Sequence, residues 1–278
     1  MDKSDFGNLS VPVIGISRFR FGTDGKGITT LVAFNGCPLH CRYCLNKECW
    51  ESSDKFPHYT PEQLYDKVKV DDLYFRATEG GVTFGGGEPA LRADFIVAFR
   101  KICPPDWKIR IETSLNVKRD LIEKLAPVVD EWIIDIKAYN GETYKQYCGG
   151  SQKYLSSNLE YLFSKKGLKV SKEKVILKVP VIPQYVSIEE ADKTLSIFKL
   201  WYGCRVEKVF YKDEEELKYH KCRLEERNGK RICELLKQIK RDIAQKYGLE
   251  LPERDCSHKG NCPGTCPLCE SEVSDLLR

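Results

Sequence analysis

No stretch of this 278-residue chain approaches the roughly 20 consecutive apolar residues that a bilayer span needs. The opening residues, Met1-Asp2-Lys3-Ser4-Asp5-Phe6-Gly7, lack an apolar core and a cleavage site, so no secretory leader is expected and the location read from the sequence is cytoplasmic. Charge of one sign is scarce too: 45 basic and 41 acidic residues leave a net +4, too little to recruit nucleic acid by itself. Neither internal repeats nor low-complexity segments occur, and 41% hydrophobic with 31% charged residues is the composition of a folded domain rather than a disordered one. Cysteine is what the chain has in quantity, thirteen in all. A chain near 300 residues buries about three quarters of its unfolded surface and needs no disulfide scaffold. Cytosolic thiols stay reduced, so clustered ones read as metal ligands or catalytic groups. The odd number also argues against full pairing.

Apolar runs of strand length alternate with segments of helical period. Candidate strands are Thr29–Asn35, Gly81–Phe84, Lys108–Thr113, Trp132–Ile136, Lys174–Val181 and Val206–Tyr211. Helical segments lie between them: one opening at Pro61 behind Thr60, with Gln63 completing a capping box, then Leu91–Cys103, Arg119–Leu125, Tyr154–Phe163 and Ile188–Leu200. This alternation predicts βαβ units and a parallel sheet, and six strands suit a partial or full barrel better than a doubly wound sheet. Residues 1–211 are read as this core. Residues 212–254 form a charged extension with an amphipathic helix over Arg231–Tyr247, and 255–278 a cysteine-rich tail.

Cys37-Pro-Leu-His-Cys41-Arg-Tyr-Cys44 follows the first strong strand. Three thiolates at this spacing can close around one face of an iron–sulfur cubane and leave one iron open. Core cysteines at helical spacing are the bland alternative, but Gly36 and Pro38 fit a loop better. Zinc is another alternative; it usually takes a fourth protein ligand, and only Cys49 or His40 is near. After the second strand comes Gly85-Gly86-Gly87-Glu88-Pro89, glycines that let the backbone approach a ligand closely. The Lys-Ser/Thr of a phosphate loop is missing there.

The three-cysteine motif resembles that of the radical S-adenosylmethionine (SAM) superfamily. Asp24-Gly25-Lys26-Gly27-Ile28 and Phe34-Asn35-Gly36-Cys37 through Cys44-Leu45-Asn46 resemble the glycyl-radical-enzyme activating enzymes within it. So do Gly80 to Pro89, Ile111-Glu112-Thr113-Ser114, Asp135-Ile136-Lys137, Tyr147-Cys148-Gly149-Gly150 and Val179-Pro180-Val181-Ile182-Pro183, in order from about residue 20 to 211. The resemblance implies an α/β partial (β/α)6 barrel, to which a C-terminal helix and a small metal-held tail are added. It implies a 4Fe–4S cluster on Cys37, Cys41 and Cys44, with SAM on its open iron. SAM would be held by Tyr43, Gly85, Gly86, Gly87, Glu88, Glu112, Thr113, Asp135, Lys137 and Lys178. Reductive cleavage to a 5′-deoxyadenosyl radical and hydrogen abstraction from a glycine of a partner glycyl radical enzyme would follow. The electron donor would be of flavodoxin or ferredoxin type. No acid–base triad is expected. Cys148 is a candidate hydrogen-atom donor.

The chain departs from the family pattern where Lys26 replaces a common proline, Gly85 a serine and Lys178 an arginine, which keeps charge but loses the bidentate fork. The last core strand ends Tyr211-Lys212 rather than Tyr-His. In the tail, Cys256, Cys262, Cys266 and Cys269 supply four thiols, enough for a second 4Fe–4S cluster or a tetrahedral zinc. A second functional reading follows from that tail: modification of a peptide or small molecule with help from an auxiliary cluster. The six remaining cysteines, Cys49 among them, are expected to be mostly small buried hydrophobes.

Overall fold

The computed structural model describes residues 9–164, 166–211 and 214–251, without the side chains of 214–228 and 230, together with residues 271 and 273. Cys256, Cys262, Cys266 and Cys269 lie outside the described residues, as does the side chain of Cys222.

Six strands form a parallel sheet in chain order: β2 (Ile28–Phe34), β4 (Gly81–Gly86), β5 (Lys108–Thr113), β6 (Glu131–Asp135), β7 (Val175–Val181) and β8 (Arg205–Phe210). The helices α3 (Ala93–Ile102), α4 (Arg119–Leu125), α6 (Leu155–Phe163) and α7 (Ile188–Tyr202) cross back between them. Two antiparallel strands that the sequence reading missed, β1 (Val11–Phe21) and β3 (His58–Tyr59), extend the β2 edge. The sheet order runs β3-β1-β2-β4-β5-β6-β7-β8 and does not close, so the expected partial barrel is what forms.

Strands covered on both faces read as apolar runs. Phe34 and Phe84 stack at 5.4 Å on the outer face and meet Phe95 and Phe99 of α3 edge-on. The inner face is different, because residues two apart share a face. Arg110 and Glu112 on β5, Glu131 and Asp135 on β6, and Lys178 on β7 meet inside the barrel, where Arg110 Nε donates to Glu131 at 2.7 Å and Lys178 Nζ to Glu112 at 2.9 Å. The β1–β2 loop passes beneath this charged layer. Lys178 donates to the Thr23 carbonyl and Arg110 to that of Lys26. Buried Asp24 in this loop accepts from Arg20 and Thr29. The loop therefore forms the floor of the barrel.

The capping box at Thr60 forms as expected: Thr60 N–H donates to Gln63 Oε1 and Gln63 N–H to Thr60 Oγ1. It starts α1 (Pro61–Val68), and α2 (Asp72–Thr78) follows. A short helix that the sequence reading did not assign, α5 (Gly141–Cys148), ends in Tyr147 and Cys148. The helix expected over Arg231–Tyr247 is longer, α8 (Glu214–Tyr247). Its Leu236, with Ile232 and Ile239, packs on Phe19, Ile28 and Tyr74, which fixes it against α2 and the start of β2. Phe19 reaches that side from a bulge in β1, at a φ of 56°. No described helix is long and apolar enough to cross a membrane.

Candidate functional site

The carboxyl ends of the parallel strands surround a cavity of about 430 Å³, the size of a small-molecule site. Cys37, Cys41 and Cys44 lie on one side, Gly86 and Gly87 at the rim, and Glu112, Asp135, Lys137 and Lys178 towards the charged floor.

The cysteine loop leaves β2 at Gly36, whose φ is +100°. Three attachments shape it. Asn35 Nδ2 donates to the carbonyls of Cys49 and Glu51, and Gly36 N–H donates to that of Cys49, closing residues 36–49 into a compact loop. Trp50 Nε1 donates to the Leu39 carbonyl at 2.7 Å, and its ring stacks on His40. His40 N–H and Arg42 N–H donate to the carbonyls of Cys148 and Tyr147, the last residues of α5, which would otherwise be the orphan carbonyls of a helix end.

These attachments bring two more thiols to the triad. Cys148 stands beside Cys41, and Cys49 beside Cys37 and Cys44, near enough for each thiol to shift its neighbour's titration. The Cys41 thiol is drawn below its usual value, first by Cys148 and also by Lys137, against the effect of burial. Cys44 is drawn down to about 6, first by Cys49, with help from the Asn46 N–H and Lys137. Cys49 and Cys148, acting as donors, are pushed up. The thiolate is the form that ligates iron, so the chain stabilises the ligand form at two of the three positions. Among the described residues no three His, Cys, Asp or Glu side chains converge as they would on a single metal ion. Three thiols on one loop are the donor set of an iron–sulfur cluster that keeps one iron open.

The glycine run is fitted to the cysteine loop by close approach. Gly86 has a φ of +92°, and a Cβ there would lie 2.7 Å from the Ala33 Cα. A Cβ at Gly87 would lie 2.2 Å from the Gly36 carbonyl oxygen. Gly87 N–H donates to Phe34 and Glu88 N–H to Gly36. Glu88 itself supports this wall from behind. It is 1% exposed, and its carboxylate accepts from Ala90 N–H, Thr113 Oγ1, Ser114 N–H and Ser114 Oγ. Thr113, also named from the sequence, is thus buried and engaged with Glu88.

On the far wall Lys137 Nζ donates to Asp135 Oδ2 at 2.8 Å. Burial alone would lower the lysine, but Asp135, Tyr211 and Cys41 hold it well above its ordinary value. Burial pushes Glu112 up, with Lys178 pulling the other way. Tyr43 lines the cavity and meets Tyr185 edge-on at 6.2 Å; Tyr185 contacts Tyr147 in turn. The structure adds Arg20, Asn46, Trp50, Tyr147 and Tyr211 to the lining. Strand-end position could have flagged Tyr211, but for Arg20 and Trp50 no sequence signal existed.

Comparison with known proteins agrees with this geometry. The radical SAM superfamily model matches residues 31–184, from within β2 past the end of β7. The chain is 30% identical over 231 residues to the pyruvate formate-lyase-activating enzyme of Clostridium pasteurianum, covering 83% of this chain and 94% of that protein. It is 29% identical over 201 residues to the pyruvate formate-lyase 1-activating enzyme of Escherichia coli strain K12, covering 71% and 78%. It is 24% identical over 239 residues to the (2S)-3-sulfopropanediol dehydratase activating enzyme of Klebsiella oxytoca, covering 63% and 73%. With a family match over more than half its length and these relatives, the chain belongs to the radical SAM superfamily and is a homologue of the pyruvate formate-lyase-activating enzymes.

Proposed function

We propose that the chain is an activating enzyme that removes a hydrogen atom from a glycine of a partner glycyl radical enzyme. The observation that carries this reading is the single cavity joining the three cysteine thiols to the glycine run and to the charged ends of β5, β6 and β7. The names of its relatives support it: each is an activating enzyme of a lyase or a dehydratase.

When bound, a 4Fe–4S cluster and SAM supply one-electron cleavage of a carbon–sulfur bond and a carbon radical that takes the hydrogen atom. Cys37, Cys41 and Cys44 would hold the cluster. Gly86 and Gly87, which line the cavity, would offer backbone carbonyls to an ammonium group, Gly85 pairs with β2 one residue earlier, and Glu88 and Thr113 keep that edge in place. Lys137 carries positive charge beside the thiolates and is placed to meet a carboxylate. Asp135, Glu112 and Lys178 form a polar floor suited to ribose hydroxyls. Tyr43 gives an aromatic wall for adenine, and Trp50 and Tyr147 keep water from the reacting atoms. A flavodoxin- or ferredoxin-type donor belongs to the same proposal, as does a second 4Fe–4S cluster or a zinc on Cys256, Cys262, Cys266 and Cys269.

The test is anaerobic reconstitution, reduction and addition of SAM, with 5′-deoxyadenosine as the first readout. The glycyl paramagnetic resonance doublet after incubation with candidate partners is the second. Both signals support the proposal. SAM cleavage without a doublet on any partner transfers the reading to a peptide or small-molecule substrate. No cleavage, with iron and sulfide present, rejects both.

A further inference from the structure

Two loops meet at the cavity rim, the cysteine loop after β2 and the glycine run after β4. Backbone bonds join them on the inner side, Gly87 N–H to Phe34 at 2.9 Å and Glu88 N–H to Gly36 at 2.8 Å. On the cavity side the joint is a side chain. Asn46 Nδ2 donates to the Gly86 carbonyl at 3.1 Å. The N–H of the same residue donates to Cys44 Sγ at 3.4 Å, and its carbonyl accepts from Cys49 N–H at 3.0 Å. Asn46 therefore touches a triad thiol with its backbone and the glycine run with its side chain. Both Asn46 and Gly86 line the cavity.

Gly86 has no side chain to fix its peptide, and its positive φ belongs to a region where glycine is freest. Its carbonyl shares a planar peptide with the Gly87 N–H, which the Phe34 carbonyl holds from the inner side, and Asn46 adds the one bond made at the oxygen itself. A carbonyl oxygen has two lone pairs. Asn46 uses one, and the other is left for a donor in the cavity, where an ammonium would make a strong charge-assisted bond. We infer that Asn46 is the positioning residue that aims the Gly86 carbonyl at the ammonium of SAM and ties that aim to the cluster-bearing loop. This inference rests on the SAM-cleaving reading above.

The test uses the full chain reconstituted with iron and sulfide, as wild type, Asn46→Leu and Asn46→Ala. Leucine keeps the branched, four-atom outline of the asparagine side chain and cannot donate. Iron and sulfide per chain are measured, and the resonance spectrum of the reduced cluster is followed as SAM is added. Iron, sulfide and the SAM-free spectrum should match wild type in both variants. The SAM concentration that half-converts the spectrum should rise about tenfold or more in both, the usual loss when an outer partner of a metal site is removed. A wild-type response in Asn46→Leu would reduce Asn46 to space filling and overturn the inference. Lost iron in either variant would overturn it too, because the side chain would then serve loop folding. A wild type whose spectrum ignores SAM rejects the SAM reading itself, a result distinct from failure of the variants alone.

Discussion

Asp24 is fully buried, and burial would raise its carboxyl, yet the carboxyl is held below its usual 3.8 because the Arg20 hydrogen bond and charge, with Thr23 and Lys178, together outweigh burial. A lowered folded-state value means stability that is complete above the unfolded value and is lost as pH falls through the folded one. Wild type should therefore lose stability below about pH 4, and Asp24→Asn should flatten that acid limb. At neutral pH the same variant should cost about 1–3 kcal/mol for Arg20 left without its partner. Urea unfolding between about pH 6 and pH 3 reads both effects. Glu88 allows a second residue-level test. All four of its bonds come from donors, so Glu88→Gln sets an amide N–H₂ against other donors. It should destabilise by about 1–3 kcal/mol and raise the SAM concentration needed for half-maximal cleavage, since the edge of β4 loses its backing. A wild-type melting temperature and SAM dependence would refute that supporting role. At this scale the sequence was partly legible. The triad was readable because its members are neighbours in the chain. Cys49 was legible as near the triad and Cys148 as a hydrogen-atom donor candidate, but their places beside it were not, because Cys49 arrives only when Asn35 and Gly36 close the loop and Cys148 only when α5 docks on it.

At the scale of elements, α5 is the strut of the site. Asn140 caps its first turn, with Oδ1 accepting from Glu142 and Thr143 N–H, and its last carbonyls carry the cysteine loop. Asn140→Ala should cost about 1 kcal/mol, the typical price of a lost cap. Its effect should appear as faster iron release to a chelator, before any change in the global unfolding midpoint. Equal release rates with a lower midpoint would place α5 outside the support of the loop. The six parallel strands were legible because burial on both faces leaves long apolar runs. The β1 strand was missed because Ser17, Arg18 and Arg20 break its pattern, and its bulge turns Phe19 to the opposite side. The α5 helix was missed because eight residues with Gly141 first give too little periodicity to set against a turn.

The described residues form an open barrel whose candidate site gathers at one end. Exchanging Cys37, Cys41 and Cys44 together for alanine should remove one cluster and leave the fold intact, because the site rests on a fully packed sheet. Iron, sulfide and zinc in that variant then belong to the rest of the chain. About four irons with matching sulfide would indicate a second cluster, and about one zinc a structural tail site; neither metal would reject a metal-held tail. Circular dichroism identical to wild type is the control.

The strut also constrains how such a chain can drift. Residues 135–148 begin at the floor of the cavity and end on the cysteine loop, so their number is a gauge length. One residue added or removed within α5 would rotate its end by about 100° and carry its carbonyls away from His40 and Arg42. Insertions and deletions should therefore accumulate elsewhere, as at the turn over residues 166–168, and related sequences should keep this interval constant even where none of its letters agree.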